Sequence, residues 1–115
     1  MILETLRSDL LQSQKDKNLF NTEVLRYLLA AMKNREIELR PAGKEMNDEE
    51  AFRVIKKQIK QRNDSIENYK MGKRDDLVKK ESDELAVLQT YFDKWASEFP
   101  QVVNPQGRPN QKPTN

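Results

Sequence analysis

The chain contains no cysteine and no histidine. Without cysteine it has no disulfide framework, no thiol nucleophile and no thiolate metal site. Without histidine it lacks the commonest general base near neutral pH. The nucleophile–base pairs that remain are Ser–Lys and paired carboxylates. Ser8, Ser13, Ser65, Ser82 and Ser97 are scattered among polar residues, and none sits in a strand–turn–helix elbow. Only three glycines occur, and they form no phosphate-binding loop. No apolar run approaches the roughly 18 residues of a membrane span. The N-terminus lacks the basic segment and apolar core of a secretory signal, so a cytoplasmic location is expected. The acidic groups Asp48-Glu49-Glu50 and Asp83-Glu84 could in principle hold a hard cation, but helix N-termini favour acids for dipole reasons alone. No metal, no cofactor and no catalytic residue is therefore assigned.

What is present describes long helices. The 115 residues suffice for one domain of ordinary size. Hydrophobic residues make up 36% and charged residues 35%, which suits helices that each bury one stripe. The 21 basic and 19 acidic residues leave a net charge of +2, so any electrostatic argument has to be local. Four of the five prolines lie at residue 100 or beyond.

The apolar spacing predicts four helices and a tail. The first runs from about Ile2 to Lys17, with Leu3, Leu6 and Leu10 on one stripe and Leu11 beside it. The second starts near Asn18 or Asn21, either of which can cap it. It carries Phe20, Val24, Leu25, Leu28, Leu29, Ala31 and Met32, an apolar face wider than one seam needs, so it is expected to touch more than one neighbour. Pro41 and Gly43 end it. Asn47 with Glu50 reads as a capping box for the third helix, and Gly72 is expected to close that helix in the left-handed conformation. The fourth begins at Asp75 or Asp76 and runs to about Trp95 or Phe99, where Pro100 stops it. Residues 100–115, rich in proline, asparagine and glutamine, read as a disordered tail.

The two longest helices carry matching seams. Phe52, Ile55, Ile59, Arg62, Ile66 and Tyr69 recur on the third; Val78, Glu81, Leu85, Leu88, Phe92, Trp95 and Phe99 recur on the fourth. Folding back at Gly72-Lys73 sets Ile66 against Glu81, Arg62 against Leu85, Ile59 against Leu88, Ile55 against Phe92 and Phe52 against Trp95. This describes an antiparallel hairpin with coiled-coil-like packing. Arg62 and Glu81 interrupt the seam and are expected to pair, with Glu84 sharing the arginine. Such a pair either sets register or lines a partner site.

At this hairpin the chain resembles the YqeY-like family (GatB/YqeY), related to the C-terminal region of the GatB subunit of tRNA-dependent amidotransferase. The resemblance rests on the run from Ile55 to Ile66 (IKKQIKQRNDSI) and on Tyr69-Lys70-Met71-Gly72-Lys73-Arg74-Asp75-Asp76-Leu77. Glu81, Glu84-Leu85, Val87-Leu88 and Tyr91-Phe92 continue it. Upstream, Val24-Leu25-Arg26, Ala30 to Asn34 and Glu36-Ile37-Glu38 also fit, so the match covers about residues 1 to 95. It implies a helical domain over 1–99, associated with tRNA in the amidotransferase setting. It also brings a family-level activity, carbon–nitrogen ligation with glutamine as the amido donor. That reaction needs a nucleophile to release ammonia and a site to activate a carboxyl group, tasks of other subunits in such a complex. Asp93 stands where the family places a proline, and the second small helical subdomain is expected to be absent.

One feature of the third helix bears on RNA. Arg53, Lys56, Lys57 and Lys60 share a face, with no acid between Ala51 and Asn63. At roughly 100° per residue that face lies about 150° from the seam and should be exposed, where it could meet phosphates. Lys73 and Arg74 at the hairpin tip extend it. No aromatic residue lies in the stripe, so base stacking is not suggested. The leading expectation is a non-catalytic module that binds tRNA or another RNA. The alternative is a protein–protein adaptor for an enzyme of nitrogen or aminoacyl-tRNA metabolism, docking through an apolar patch near Trp95 and Phe99.

Overall fold

Four long helices and one short one build the domain. In the computed structural model, which describes residues 1–105, they are α1 (Ile2–Lys15), α2 (Leu19–Leu39), α3 (Asp48–Met71), α4 (Asp75–Trp95) and α5 (Pro100–Val103). Three-residue 3-10 turns at Arg40–Ala42 and Ala96–Glu98 follow α2 and α4. Among the described residues there is no strand, and the fold is the all-α bundle with a long α3–α4 hairpin that the periodicity predicts.

Local signals explain the helix starts. Asn18 Oδ1 accepts the Asn21 N–H at 3.0 Å, and Asn47 Oδ1 accepts the Glu50 N–H at 2.8 Å, each meeting one orphan donor of a first turn. The Glu50 side chain does not complete the capping box; it accepts from Arg35 Nε at 2.9 Å and so ties α3 to α2. Asp48 caps a different helix, accepting the Ile2 N–H of α1 at 3.0 Å. That backbone hydrogen bond, with the nearby N-terminal ammonium, holds its carboxyl below the usual carboxylate range.

Three helix ends share one geometry. After α1, the Asn18 N–H reaches Ser13 O and the Lys17 N–H reaches Gln14 O. After α2, Lys44 reaches Leu39 and Gly43 reaches Arg40; after α3, Arg74 reaches Tyr69 and Lys73 reaches Lys70. These are Schellman closures, and the left-handed residue in each is Lys17, Gly43 or Lys73, at φ 55°, 71° and 56°. Gly72 lies at φ −85°, so the left-handed position falls one residue later than the glycine suggests. The six-residue closure counts from Tyr69, whose carbonyl accepts the Arg74 N–H. An alanine Cβ at position 72 would sit 3.6 Å from the Asn68 carbonyl oxygen, an ordinary contact. Gly72→Ala should therefore be neutral or add about 0.4–1 kcal/mol of stability, and Lys73→Gly should relieve about 1 kcal/mol of left-handed strain. Urea midpoints of the two variants check this; a clear loss for Gly72→Ala would return the left-handed conformation to residue 72.

The core gathers Ile2 and Leu6 of α1, Val24, Leu25, Leu28 and Met32 of α2, Ala51, Phe52 and Ile55 of α3, and Leu88 and Trp95 of α4. Leu3 and Leu10 pack at its edge, while Leu11 is exposed. α3 and α4 share the longest interface; α1 lies along α2, and α2 barely meets α4.

At the open end of the hairpin the expected register changes. Phe52 does not face Trp95. It is fully buried between Phe92 and Phe99, with ring centroids at 4.9 and 5.1 Å. Trp95 stacks instead on Tyr91 at 5.8 Å, and the Tyr91 hydroxyl donates to Asp9 of α1 at 2.6 Å. Burial, then the Asp9 carboxylate, push the Tyr91 phenol up. The 3-10 turn after Trp95 brings Phe99 back over Phe52. Trp95 and Phe99, expected as an exposed docking patch, are thus a buried and a half-buried packing residue. Nor does the chain leave the bundle at Pro100. Residues 100–103 make a helical turn, and Val102 joins the core at 2% exposure. The rest of the expected tail, from 106 onward, lies outside the described residues.

Candidate nucleic-acid interface

α3 brings Arg53, Lys57 and Lys60 to one exposed edge. Acids one turn away reach each end of it. Arg53 Nη2 donates to Glu49 Oε2 at 2.8 Å, and Lys60 Nζ donates to Asp64 Oδ2 at 3.0 Å. The Arg53 guanidinium, with the Gln101 amide, holds the Glu49 carboxyl below its usual range. The run from Ala51 to Asn63 is free of acids in sequence, but helical spacing places Glu49 and Asp64 at its ends.

Lys56 departs from the expected exposed face. It is half-buried, and its Nζ donates to the Val102 carbonyl oxygen at 2.6 Å. The cation there satisfies a carbonyl of the short α5, and Gln101 Nε2 adds a 3.0 Å bond to Glu49 beside it. α5 therefore takes Lys56 out of the basic stripe. Sequence spacing could not place α5 there, because a proline-rich segment of four residues carries no periodic signal.

At the hairpin tip Lys73 is exposed, and Arg74 grips Asp76 through Nε and Nη2 at 3.4 and 3.3 Å. That contact raises the Arg74 pKa and lowers that of Asp76. The structure thus brings Arg53, Lys57 and Lys60 together, separates Lys56 from them, and leaves Lys73 and Arg74 at the far end of α3.

Arg62, Glu81 and Glu84 meet inside the hairpin. Arg62 Nη1 donates to Glu81 Oε1 at 3.2 Å, and Arg62 Nε lies 3.6 Å from Glu84 Oε1. Those last two atoms are buried and have no hydrogen-bond partner among the described residues. Lys80 Nζ donates to Glu84 Oε2 at 3.0 Å, which raises the lysine pKa. One arginine serves two acids because a knob in an antiparallel seam faces a hole made by several residues, not one opposite residue. Tyr27 of α2, to which the sequence assigned nothing, lies with its ring centroid 5.3 Å from the Arg62 guanidinium carbon. Around them runs a groove of about 470 Å³ between α2 and α4, lined by Glu23, Val24, Arg26, Tyr27, Ala30, Arg62, Lys80 and Glu84. Among the described residues no cluster of three or more acids could hold a metal ion, and no helix is long and apolar enough to cross a membrane.

The family model described as Yqey-like protein matches residues 3–99. Among curated proteins, the chain is 36% identical over 89 residues to "Altered inheritance of mitochondria protein 41, mitochondrial" of Saccharomyces cerevisiae, covering 77% of this chain and 47% of that protein. The protein of the same name in Vanderwaltozyma polyspora is 33% identical over 99 residues, covering 86% and 52% of the two chains. That of Candida glabrata is 32% identical over 92 residues, covering 79% and 50%. The chain spans about half the length of these curated relatives. Their names place them in mitochondria, a compartment other than the cytoplasm expected above.

Proposed function

The chain belongs to the YqeY-like family, and on that premise we propose that it is a non-catalytic binding module, an accessory to tRNA-dependent amidation that lays one edge of α3 against tRNA. The observation that carries this reading is the placement of Arg53, Lys57 and Lys60 on a single exposed edge of a helix braced along its length by α4. Arg53 and Lys60 are held only by exposed i,i+4 pairs to Glu49 and Asp64, which are weak in water. Phosphate oxygens compete readily with such partners, and counterion release from RNA adds to the gain. Lys73 and Arg74 extend the basic surface along the hairpin. Glutamine-dependent ligation, the chemistry attached to the family, is left to partner subunits in this reading.

Fluorescence anisotropy of labelled tRNA, titrated at several salt concentrations, tests it. The expected result is micromolar binding at low salt, with affinity falling on a log–log slope of about 2–3 for three phosphate contacts. Lys57→Glu with Lys60→Glu should abolish it. Lys56→Ala should leave it unchanged, since that amine is committed to Val102. No binding at low salt would remove the RNA reading.

A second reading, a protein–protein adaptor, is favoured by a different observation. The outer side of α2 is apolar and uncovered: Phe20, Tyr27 and Ile37 are 41%, 66% and 48% exposed.

A further inference from the structure

α2 is apolar on two sides. Its inner side buries Val24, Leu25, Leu28 and Met32. On the outer side Phe20, Tyr27, Ala30 and Ile37 follow a 3-4 pattern, whose remaining positions are Glu23 and Asn34. An apolar side of a helix is ordinarily buried, yet among the described residues only the inner side of α2 is covered. The outer stripe spans 18 residues from Phe20 to Ile37, about 26 Å of helix at 1.5 Å of rise per residue. A straight track of that length and spacing matches the seam of another helix.

The charges along the track select that helix. Arg26 and Lys33, seven residues apart, follow one flank of the stripe. Lys80 of α4, across the groove, already donates to Glu84 at 3.0 Å, so the cations open to a partner are those of α2. Glu84, the acid of the α4 wall, is only 14% exposed, and both its oxygens already lie beside cations. Lys33 is held only by an exposed pair to Glu36 at 3.3 Å. A second copy of this chain fits poorly. Laid antiparallel, with Tyr27 against the other copy's Ala30, it would set Arg26 beside the other copy's Lys33, with like charges opposed.

We propose that the outer face of α2, with the groove between α2 and α4, docks one amphipathic helix of a partner protein, its apolar seam seated on Phe20, Tyr27, Ala30 and Ile37 and one acidic flank against Arg26 and Lys33. This deepens the adaptor reading and is independent of tRNA contact, which uses another face of the molecule. Glu23 and Asn34, polar positions within the seam, restrict the register of the partner.

The test uses two fluorescein-labelled helical peptides of about six turns, both with leucine at the 3-4 positions, one flanked by glutamate and the other by lysine. By anisotropy, the glutamate peptide should bind the full chain with a Kd below about 100 μM at low salt, and the lysine twin at least about tenfold more weakly. Tyr27→Ala and Ile37→Glu should each weaken the glutamate peptide about tenfold or more, with thermal unfolding and tRNA binding unchanged. Equal binding of the two peptides, or indifference to both substitutions, overturns the proposal. So does a concentration-dependent dimer in sedimentation that Ile37→Glu abolishes, because the stripe would then be covered by a second copy. Loss of tRNA binding in the α3 variants leaves this result untouched, so failure of one reading is distinguishable from failure of the other.

Discussion

Phe52→Ala should lower stability by about 3–5 kcal/mol, a large fraction of the total of about 5–15 kcal/mol available to a domain. Phe52 is fully buried, and its ring fills the space between Phe92 of α4 and Phe99 beyond the 3-10 turn. Truncation removes the transfer energy of the ring and two aromatic contacts. It also leaves a cavity that cannot collapse easily, because α3 and α4 are packed along their whole length. The single Trp95 is 2% exposed and gives a fluorescence signal for urea unfolding. The midpoint should fall with the slope unchanged. Phe99→Ala, at a half-buried position on the same stack, should cost less, and the two losses should not add. A loss for Phe52→Ala well under 1 kcal/mol would mean that the chain beyond Trp95 does not close over Phe52.

The second large effect is expected at the ion cluster. Arg62→Ala should cost about 3–5 kcal/mol, because it leaves the largely buried Glu81 and Glu84 without their shared cation. Their side chains are only 11% and 14% exposed, so water cannot replace the arginine fully. Replacing both Arg62 and Glu81 by methionine removes the buried pair, leaves Glu84 with Lys80 at 3.0 Å, and should return stability to within about 1 kcal/mol of the parent. The contrast between the single and double variants, read from urea midpoints, is the measurement. A mild single variant would mean that the pair is solvated. A double variant as weak as the single would mean that Arg62 acts through its packing against Tyr27.

The basic stripe and the apolar width of α2 show how far sequence reasoning reaches. Period and spacing gave the face of Arg53, Lys57 and Lys60, since the helical repeat fixes direction around an axis. They could not say that Lys56, on the same face, is taken by a carbonyl 46 positions away. That contact depends on α5, whose four residues have no period to read. The second helix was legible as too apolar for one neighbour, and it packs against α1 and α3 and touches α4; the exposed Tyr27 and Ile37 on its outer side were not read from the sequence. Which side stays open follows from the splay of α2 from α4, a property of how three helices meet and not of any one of them.

By itself the sequence determined the four long helices, the cap at Asn47, the choice of Asn18 or Asn21 for the second helix, the pairing of α3 with α4, the exclusion of thiol and imidazole chemistry, and the family. All of these rest on local interactions or on a repeat that survives without knowing the neighbours. The tertiary structure alone decided that Phe52 closes against Phe99, that α5 covers Lys56, that Tyr27 lies over Arg62, and that Phe20, Tyr27 and Ile37 on the outer face of α2 are exposed among the described residues. Each of these depends on where non-periodic segments and side-chain tips come to rest, and that is settled by packing between elements distant in the chain.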